Sequence, residues 1–79
     1  MFYVYYIQSE SNSNLYYVGS TIDVDRRLKE HNSDKSSHTL KNSPWKLLMY
    51  VAFTDKIKAL AFEQYLKTGS GREFSKRHF

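Results

Sequence analysis

Two short runs of β-branched and aromatic residues, separated by a polar stretch, constrain the fold of this chain more than any other feature. Phe2–Ile7 and Leu15–Val18 have the composition of β-strands, and the Ser- and Asn-rich segment between them has that of a turn. The sequence therefore predicts a β-hairpin. If the strands pair symmetrically about Ser11, Tyr5 lies directly opposite Tyr17, and the two phenols share one face of the sheet.

A helical pattern follows the hairpin. Asp23 can cap the amino end of a helix that runs to about Asn32. Because each helical residue is rotated by about 100° from the last, Arg27 and His31 lie together beside the apolar stripe, whereas Arg26 faces solvent. Arg27 is thus predicted to lean toward the surface on which this helix packs.

The middle of the chain contains a connection and a further strand. Residues 32–44 are rich in Ser, Asn and Lys and close with Pro44, as expected of an exposed connection. Trp45–Phe53 has the composition of a strand. Both of its alternating sets contain large apolar side chains, which predicts a central position in the sheet.

A second helix is predicted to start at Thr54 or Asp55 and to run to about Lys67, with Gly69 ending it. Glu63 lies at the edge of the apolar arc of this helix, so it is expected at the rim of the core. The arc consists of Ile57, Ala59, Ala61, Phe62, Tyr65 and Leu66.

The order of these elements predicts the fold class. A short terminal helix is expected over residues 72–78, which gives the order β-β-α-β-α(-α). Such an order is typical of an α/β protein of the α+β type, in which a small three-stranded sheet is flanked by helices. We expect a single domain over residues 1–79.

Charge and composition narrow the functional classes. The chain has no Cys, so it cannot form a disulfide or a thiolate metal site, and the reducing cytoplasm is the expected compartment. The apolar stretch Leu47–Phe53 is far too short to span a bilayer, so no membrane association is expected. A net charge of +4 favours a polyanionic partner. Positive charge is concentrated near the C-terminus at Lys67, Arg72, Lys76 and Arg77.

The chemistry-bearing residues occur in an order that resembles a known family. Tyr3-Val4-Tyr5 is followed by Tyr17-Val18-Gly19, then by Arg27, His31 and Glu63, as in the GIY-YIG nuclease superfamily. The resemblance covers nearly the whole chain, and its longer blocks look like small stand-alone bacterial members. It implies a three-stranded sheet flanked by helices and an enzyme that cleaves phosphodiesters with one divalent metal ion.

The resemblance assigns the metal to Glu63, the single protein carboxylate expected at the ion. Mg²⁺ or Mn²⁺ suits so sparse a shell, because a hard ion keeps most of its waters and needs only one or two carboxylates plus phosphate oxygens. Taken alone, Glu63 also fits an ordinary carboxylate on a helix surface.

The resemblance also implies catalytic roles for Tyr5, Tyr17 and Arg27. One phenol is expected to help deprotonate the attacking water, for which a nearby metal or cation must make phenolate accessible, since a free phenol has a pKa near ~10. Arg27 would supply such a cation and stabilise charge on the phosphoryl oxygens. The alternatives are aromatic packing for the tyrosines and a surface ion pair with Asp23 for Arg27.

His31 and the basic C-terminal residues complete the expected site. His31 could position the nucleophile, relay a proton or contact phosphate, and its alternative is a structural role. Lys67, Arg72 and Lys76 are expected to bind substrate backbone, while Gly69 either approaches phosphate or simply stops the helix.

Two departures from the family pattern leave the target open. Tyr3 stands where the family has Gly, and the asparagine that larger nucleases carry downstream of the metal carboxylate has no match after Arg72.

The first hypothesis is a DNA endonuclease that acts by water attack, on unspecific, partner-selected or structured DNA, with RNA not excluded. The second is a nucleic-acid-binding module without turnover, and the third a protein-interaction domain. The oligomeric state is left open.

Overall fold

The computed structural model describes residues 1–33, 41–71 and 77. Within them lie three strands, β1 (Phe2–Ser9), β2 (Tyr16–Thr21) and β3 (Trp45–Phe53), which form one antiparallel sheet in the order β2-β1-β3. The described residues also form two helices, α1 (Val24–His31) between β2 and β3 and α2 (Lys56–Leu66) after β3. The predicted fold class and element order are confirmed. Residues 69–71 are again helical, but most of the predicted terminal helix lies outside the described residues.

The hairpin forms with a register different from the predicted one. Tyr5 lies opposite Gly19, and Ile7 lies opposite Tyr17, so the prediction that the two tyrosines face each other directly was wrong. The reason is the turn, which centres on Asn12: its side-chain oxygen accepts from the backbone of Asn14, and its carbonyl accepts from Leu15 N at 2.9 Å. A shift of two positions conserves the face of every side chain, so the phenols still share one side of the sheet.

The prediction that β3 is the central strand was also wrong, because β1 lies between the other two and β3 lies at an edge. The β1–β3 pairing shifts between Tyr6 and Ile7 in a way that skips Leu48. Leu48 and Tyr50 are 39% and 53% exposed. One of the two alternating sets of apolar side chains on β3, the set that suggested a central strand, is therefore largely exposed to solvent.

The central strand supplies both sides of the core. Val4 and Ile7 are both 0% exposed, and each such aliphatic side chain stabilises the fold by about 1.5–3 kcal/mol. The α2 side of the sheet is formed by Val4, Ala59 and Leu66 with Phe2, Val18, Phe53 and Phe62. The α1 side is formed by Tyr5, Ile7 and Trp45 with Leu15, Tyr17, Val24, Leu28 and Leu47.

Helix α2 begins as predicted at Asp55, whose carboxylate accepts from Ile57 N at 2.8 Å. Its apolar arc is narrower than predicted, because Ile57 is 78% exposed and Tyr65 is 42% exposed. Ala61 is exposed as well, so the residues that cover the sheet are Ala59, Phe62 and Leu66.

The glycines after α2 act differently from the prediction. The helix ends at Leu66 with Lys67 as a right-handed cap, so Gly69 is not its terminating residue. Gly71 is the constrained one, because a Cβ there would overlap the carbonyl of Tyr65 and come within 2.6 Å of Leu66 Cα. The chain after α2 therefore folds back tightly against the end of that helix.

Asn32 fastens α1 to the beginning of β3. Its side-chain oxygen accepts from Trp45 N at 2.6 Å, and its amide nitrogen donates to Trp45 O at 3.1 Å. The two bonds satisfy the backbone of the first β3 residue as a neighbouring strand would. The end of α1, which carries His31, is thereby fixed against the sheet.

We expect Asn32→Ala to lower the free energy of unfolding by about 1–3 kcal/mol, because the partly buried N–H and C=O of Trp45 lose their hydrogen bonds to the Asn32 side chain. Urea unfolding followed by fluorescence of Trp45, the single tryptophan, measures this directly. Asn14→Ala, at an exposed position of the hairpin turn, is the matched control and should change stability far less. Equal stability of the two variants would contradict the role of Asn32.

Candidate active site

The Tyr5 hydroxyl and His31 form the centre of the site. Tyr5 projects from the central strand and is 3% exposed, and its hydroxyl is 2.8 Å from Nε2 of the fully buried His31. The Tyr17 ring lies 4.9 Å from the imidazole and 6.3 Å from the Tyr5 ring, measured between centroids. Strands β1 and β2 and helix α1 thus bring three predicted site residues into one contact group.

Arg27 lies one helical turn before His31. Its guanidinium pairs with Glu30 at 2.9 Å, not with Asp23, whose carboxylate caps α1 by accepting from Arg26 N. Burial disfavours the charged form of Arg27, but Glu30 and the Tyr5 phenol outweigh it and raise the pKa of the guanidinium. Arg27 is therefore a permanent cation beside the Tyr5 hydroxyl.

Glu63 is carried by α2. Its side chain is only 12% exposed, and one carboxylate oxygen lies 2.7 Å from the Lys67 ammonium group. The negative charge of Glu63 contributes to a raised pKa at Tyr5, so the carboxylate and the phenol interact electrostatically. The expected position of Glu63 at the rim of the core matches its low exposure.

The buried phenol and imidazole are both neutral near pH 7. Burial raises the pKa of Tyr5 to about 12, with Tyr17 and Glu63 adding to it and Arg27 opposing it. Burial and the nearby Arg27 charge lower the pKa of His31 to about 4. The Tyr5 hydroxyl can therefore donate to Nε2 of an imidazole that carries its proton on Nδ1.

Gly19 is a site residue that the sequence analysis did not assign. It lies opposite Tyr5 in the hairpin, and a Cβ at this position would come within 2.5 Å of the Tyr5 Cζ atom. The absence of a side chain gives the phenol the space it occupies. The available signal was a glycine inside a predicted strand, which commonly marks a close approach of another group.

The structure places the predicted substrate-binding residues only in part. Lys67 lies against Glu63, whereas Arg72 and Lys76 are outside the described residues. Among residues 1–33, 41–71 and 77, no group of three or more His, Cys, Asp or Glu side chains is arranged to hold a metal ion. One nearly buried carboxylate nevertheless suits a hydrated hard cation that takes its other ligands from water and phosphate.

A surface hollow in the described part of the chain lies apart from the five site residues. It has a volume of about 230 Å³ and lies between the end of β2 and the first turns of α2, where Ile22, Lys56 and Leu60 are among its lining residues. None of the five site residues lines it. No helix in the described part of the chain is both long and apolar enough to cross a membrane.

We expect Gly19→Ala to destabilise the protein by about 1–3 kcal/mol, because the new methyl group must displace the Tyr5 ring. Gly69→Ala is the matched control: a Cβ there meets nothing within 4 Å, so its stability should stay equal or rise. Thermal unfolding by circular dichroism compares the two. Equal melting temperatures would show that Gly19 is not required for the position of Tyr5.

We expect burial of His31 to make stability pH-dependent below neutrality. The unfolded imidazole, with a pKa near ~6.5, binds a proton that the folded one takes up only at about 4, so the free energy of unfolding falls as pH drops through this window. The loss is up to about 3 kcal/mol and is complete near the native pKa. Urea unfolding at pH 7, 5.5 and 4.5 measures it.

His31→Gln is the control, since it removes the titrating group and should flatten the pH dependence relative to wild type over the same window. An NMR titration of the His31 ring in the wild-type protein gives an independent reading. A native pKa near the ordinary value of about 6.5 would contradict the buried neutral state.

The chain is similar in sequence to known proteins. The chain is 41% identical over 67 residues to the structure-specific endonuclease subunit SLX1 of Scheffersomyces stipitis, covering 76% of this chain and 20% of that protein. It is 38% identical over 72 residues to a UPF0213 protein of Halalkalibacterium halodurans, covering 90% of this chain and 74% of that protein. The chain thus spans about a fifth of the fungal relative's length. Residues 1–77 match the GIY-YIG catalytic domain, and the chain belongs to that family.

Proposed function

We propose that this chain is a divalent-metal-dependent endonuclease that hydrolyses DNA phosphodiester bonds by water attack. The observation that carries the proposal is the contact group of Tyr5, Tyr17 and His31 with the Arg27 cation beside it, to which the charge of Glu63 couples electrostatically. Membership of the GIY-YIG catalytic domain family supports it. The SLX1 relatives are named structure-specific endonuclease subunits, which supports structured DNA as the substrate class.

Arg27 is proposed to hold the scissile phosphate. Its guanidinium is positioned by α1 and its side chain is 32% exposed, so it can meet a ligand from solvent without leaving the site. A planar cation that stays charged can donate two parallel hydrogen bonds to a phosphoryl group. Charge that develops on the phosphoryl oxygens during attack is then stabilised by a donor already in place.

Tyr5 and His31 are proposed to act together on the proton of the attacking water. With a pKa of about 12, Tyr5 is a poor base on its own in the ligand-free chain, which differs from the expected phenolate role. The Tyr5 oxygen can accept a proton from water as its own proton passes to His31 Nε2 along the 2.8 Å hydrogen bond. An incoming phosphate favours this transfer, because its negative charge raises the proton affinity of the imidazole.

Glu63 is proposed to hold one divalent ion, Mg²⁺ or Mn²⁺. Such an ion supplies positive charge beside the phosphate when it is bound. The Lys67 ammonium group lies against one carboxylate oxygen of Glu63. When a metal ion binds Glu63, this ammonium group must either move away or remain on that oxygen together with the ion. With 46% of its side chain exposed, Lys67 has room to turn toward a phosphate of the substrate backbone.

The remaining expectations belong to the same proposal. Arg72 and Lys76 would extend the basic surface along the DNA, and RNA is not excluded as a substrate. The cytoplasm remains the expected compartment, because the sequence contains no Cys.

A second candidate is a nucleic-acid-binding module of the same fold without turnover. The raised pKa of Tyr5 favours it, because the phenol stays protonated at neutral pH in the ligand-free chain. Salt-sensitive DNA binding without cleavage across a panel of metals and DNA structures would establish this alternative.

We expect Glu63→Gln and Arg27→Lys each to lower the cleavage rate by on the order of a hundredfold or more. Glu63→Gln removes the negative charge that would hold the ion, and Arg27→Lys keeps the positive charge but loses the planar pair of donors. Plasmid nicking and cleavage of branched oligonucleotides in Mg²⁺ and Mn²⁺ measure the rates.

The matched controls are Arg26→Lys, one residue away on the solvent side of α1, and Glu10→Gln in an exposed turn. Both should retain wild-type rates within about twofold, and circular dichroism verifies the fold of all four variants. Wild-type cleavage by the Glu63 variant would overturn the metal-dependent mechanism.

A further inference from the structure

An aromatic pair lies beside the proposed active site on the same face of the sheet. Tyr50 is directly opposite Tyr5 in the β1–β3 ladder, and Tyr3 precedes Tyr5 by two residues, so all three side chains project from one face. The Tyr3 and Tyr50 rings lie 5.7 Å apart between centroids, at an interplanar angle of 73°. We refer to Tyr3 and Tyr50 as the tyrosine pair.

Tyr50 is the exposed member of the tyrosine pair and Tyr3 is partly buried, and short side chains border them. Tyr50 is 53% exposed. The positions opposite Tyr3 are Thr21 on β2 and Ala52 on β3, and Gly19 lies opposite Tyr5. Since small residues border the rings on both neighbouring strands, a flat ligand can approach the ring surface from above the sheet.

Packing within the sheet does not account for so much exposed aromatic surface at an edge strand. Tyr3 adds a second ring on the same face, two residues before Tyr5 on β1. The added ring lies about 7 Å along β1 from Tyr5, given a rise of about 3.3–3.4 Å per strand residue. A phosphate at Tyr5 and the base of a neighbouring unpaired nucleotide can span a distance of this size.

We propose that the tyrosine pair binds an unpaired nucleobase of the DNA strand whose phosphate lies at Tyr5. This inference rests on the proposed nuclease function and specifies its substrate as DNA with unpaired nucleotides beside the cleaved bond. An aromatic ring stacks on any base, whereas a base inside a duplex already has both faces covered by its neighbours. The net charge of +4 holds the backbone while the rings bind the base.

The test compares Tyr50→Ala with Tyr50→Phe and Tyr16→Ala. Phe retains the ring and removes only the hydroxyl. Tyr16 is the matched control, because it is 49% exposed but lies opposite Gln8, on the face that α2 covers, and stacks on Tyr6. Circular dichroism verifies the fold of each variant.

Two oligonucleotides of one sequence are used, a forked duplex with 2-aminopurine in the unpaired arm next to the branch and a fully paired duplex. Binding is measured by fluorescence anisotropy in EDTA, and stacking by quenching of 2-aminopurine. Tyr50→Ala should weaken binding to the fork by about fivefold or more and abolish quenching, as expected for loss of one base–aromatic stack. Binding of Tyr50→Ala to the paired duplex should stay within about twofold of wild type. Tyr50→Phe and Tyr16→Ala should also stay within about twofold of wild type, both in binding and in quenching of 2-aminopurine.

Unchanged binding and quenching of the fork by Tyr50→Ala would overturn the inference, and so would an equal loss on the fork and the paired duplex. Cleavage by the wild-type protein in Mg²⁺ separates this failure from failure of the proposed function. If the wild type cleaves the fork while Tyr50→Ala binds it normally, only the base-binding role fails. If the wild type neither binds nor cleaves DNA, both proposals fail.

Discussion

The hydrogen bond between the Tyr5 hydroxyl and His31 Nε2 joins the central strand to the last turn of α1 inside the core. Both side chains are removed from solvent, so losing this hydrogen bond would lower the stability of the fold. Tyr17 packs its ring against the same imidazole, and Gly19 leaves space for the phenol. The neighbouring Asn32 fixes the end of the helix against β3. The position of α1 on the sheet therefore depends on residues that also form the proposed site.

This sharing of residues between core and site has an electrostatic consequence. Groups that are buried for packing are also desolvated, and desolvation moves the pKa of Tyr5 up and that of His31 down. Arg27, beside them, is less buried and remains charged. The site thus combines two neutral groups that can exchange a proton with one fixed cation at its edge. Rigid elements hold all three, which limits the reorganisation needed when a phosphate binds.

The sequence predicted those features that depend on periodicity alone. Arg27 and His31 share a helix face because four residues span nearly one turn. Tyr5 and Tyr17 share a sheet face despite the wrong register, because the error was an even number of residues. Features that depend on tertiary context were not predictable. The skipped Leu48 and the exposed Tyr50 made an edge strand resemble a central one, since strand propensity does not distinguish a buried face from an aromatic surface. Gly19 was not assigned, because its role exists only once the register places Tyr5 opposite it.

At the site, the structure pairs two cations with carboxylates that lie three or four residues before or after them in the chain. Arg27 bonds to Glu30 and Lys67 to Glu63, at 2.9 and 2.7 Å. Partly exposed pairs of this kind stabilise a protein by only about 0–1 kcal/mol, so exchanging their partners costs little. In the proposed reaction the phosphate takes Arg27 and Lys67 as partners, and Glu63 takes the divalent cation. Glu63 then has a partner before and after binding, while Glu30, whose side chain is 31% exposed, is left to solvent. A substrate phosphate and a metal ion are therefore expected to bind more tightly together than either does alone.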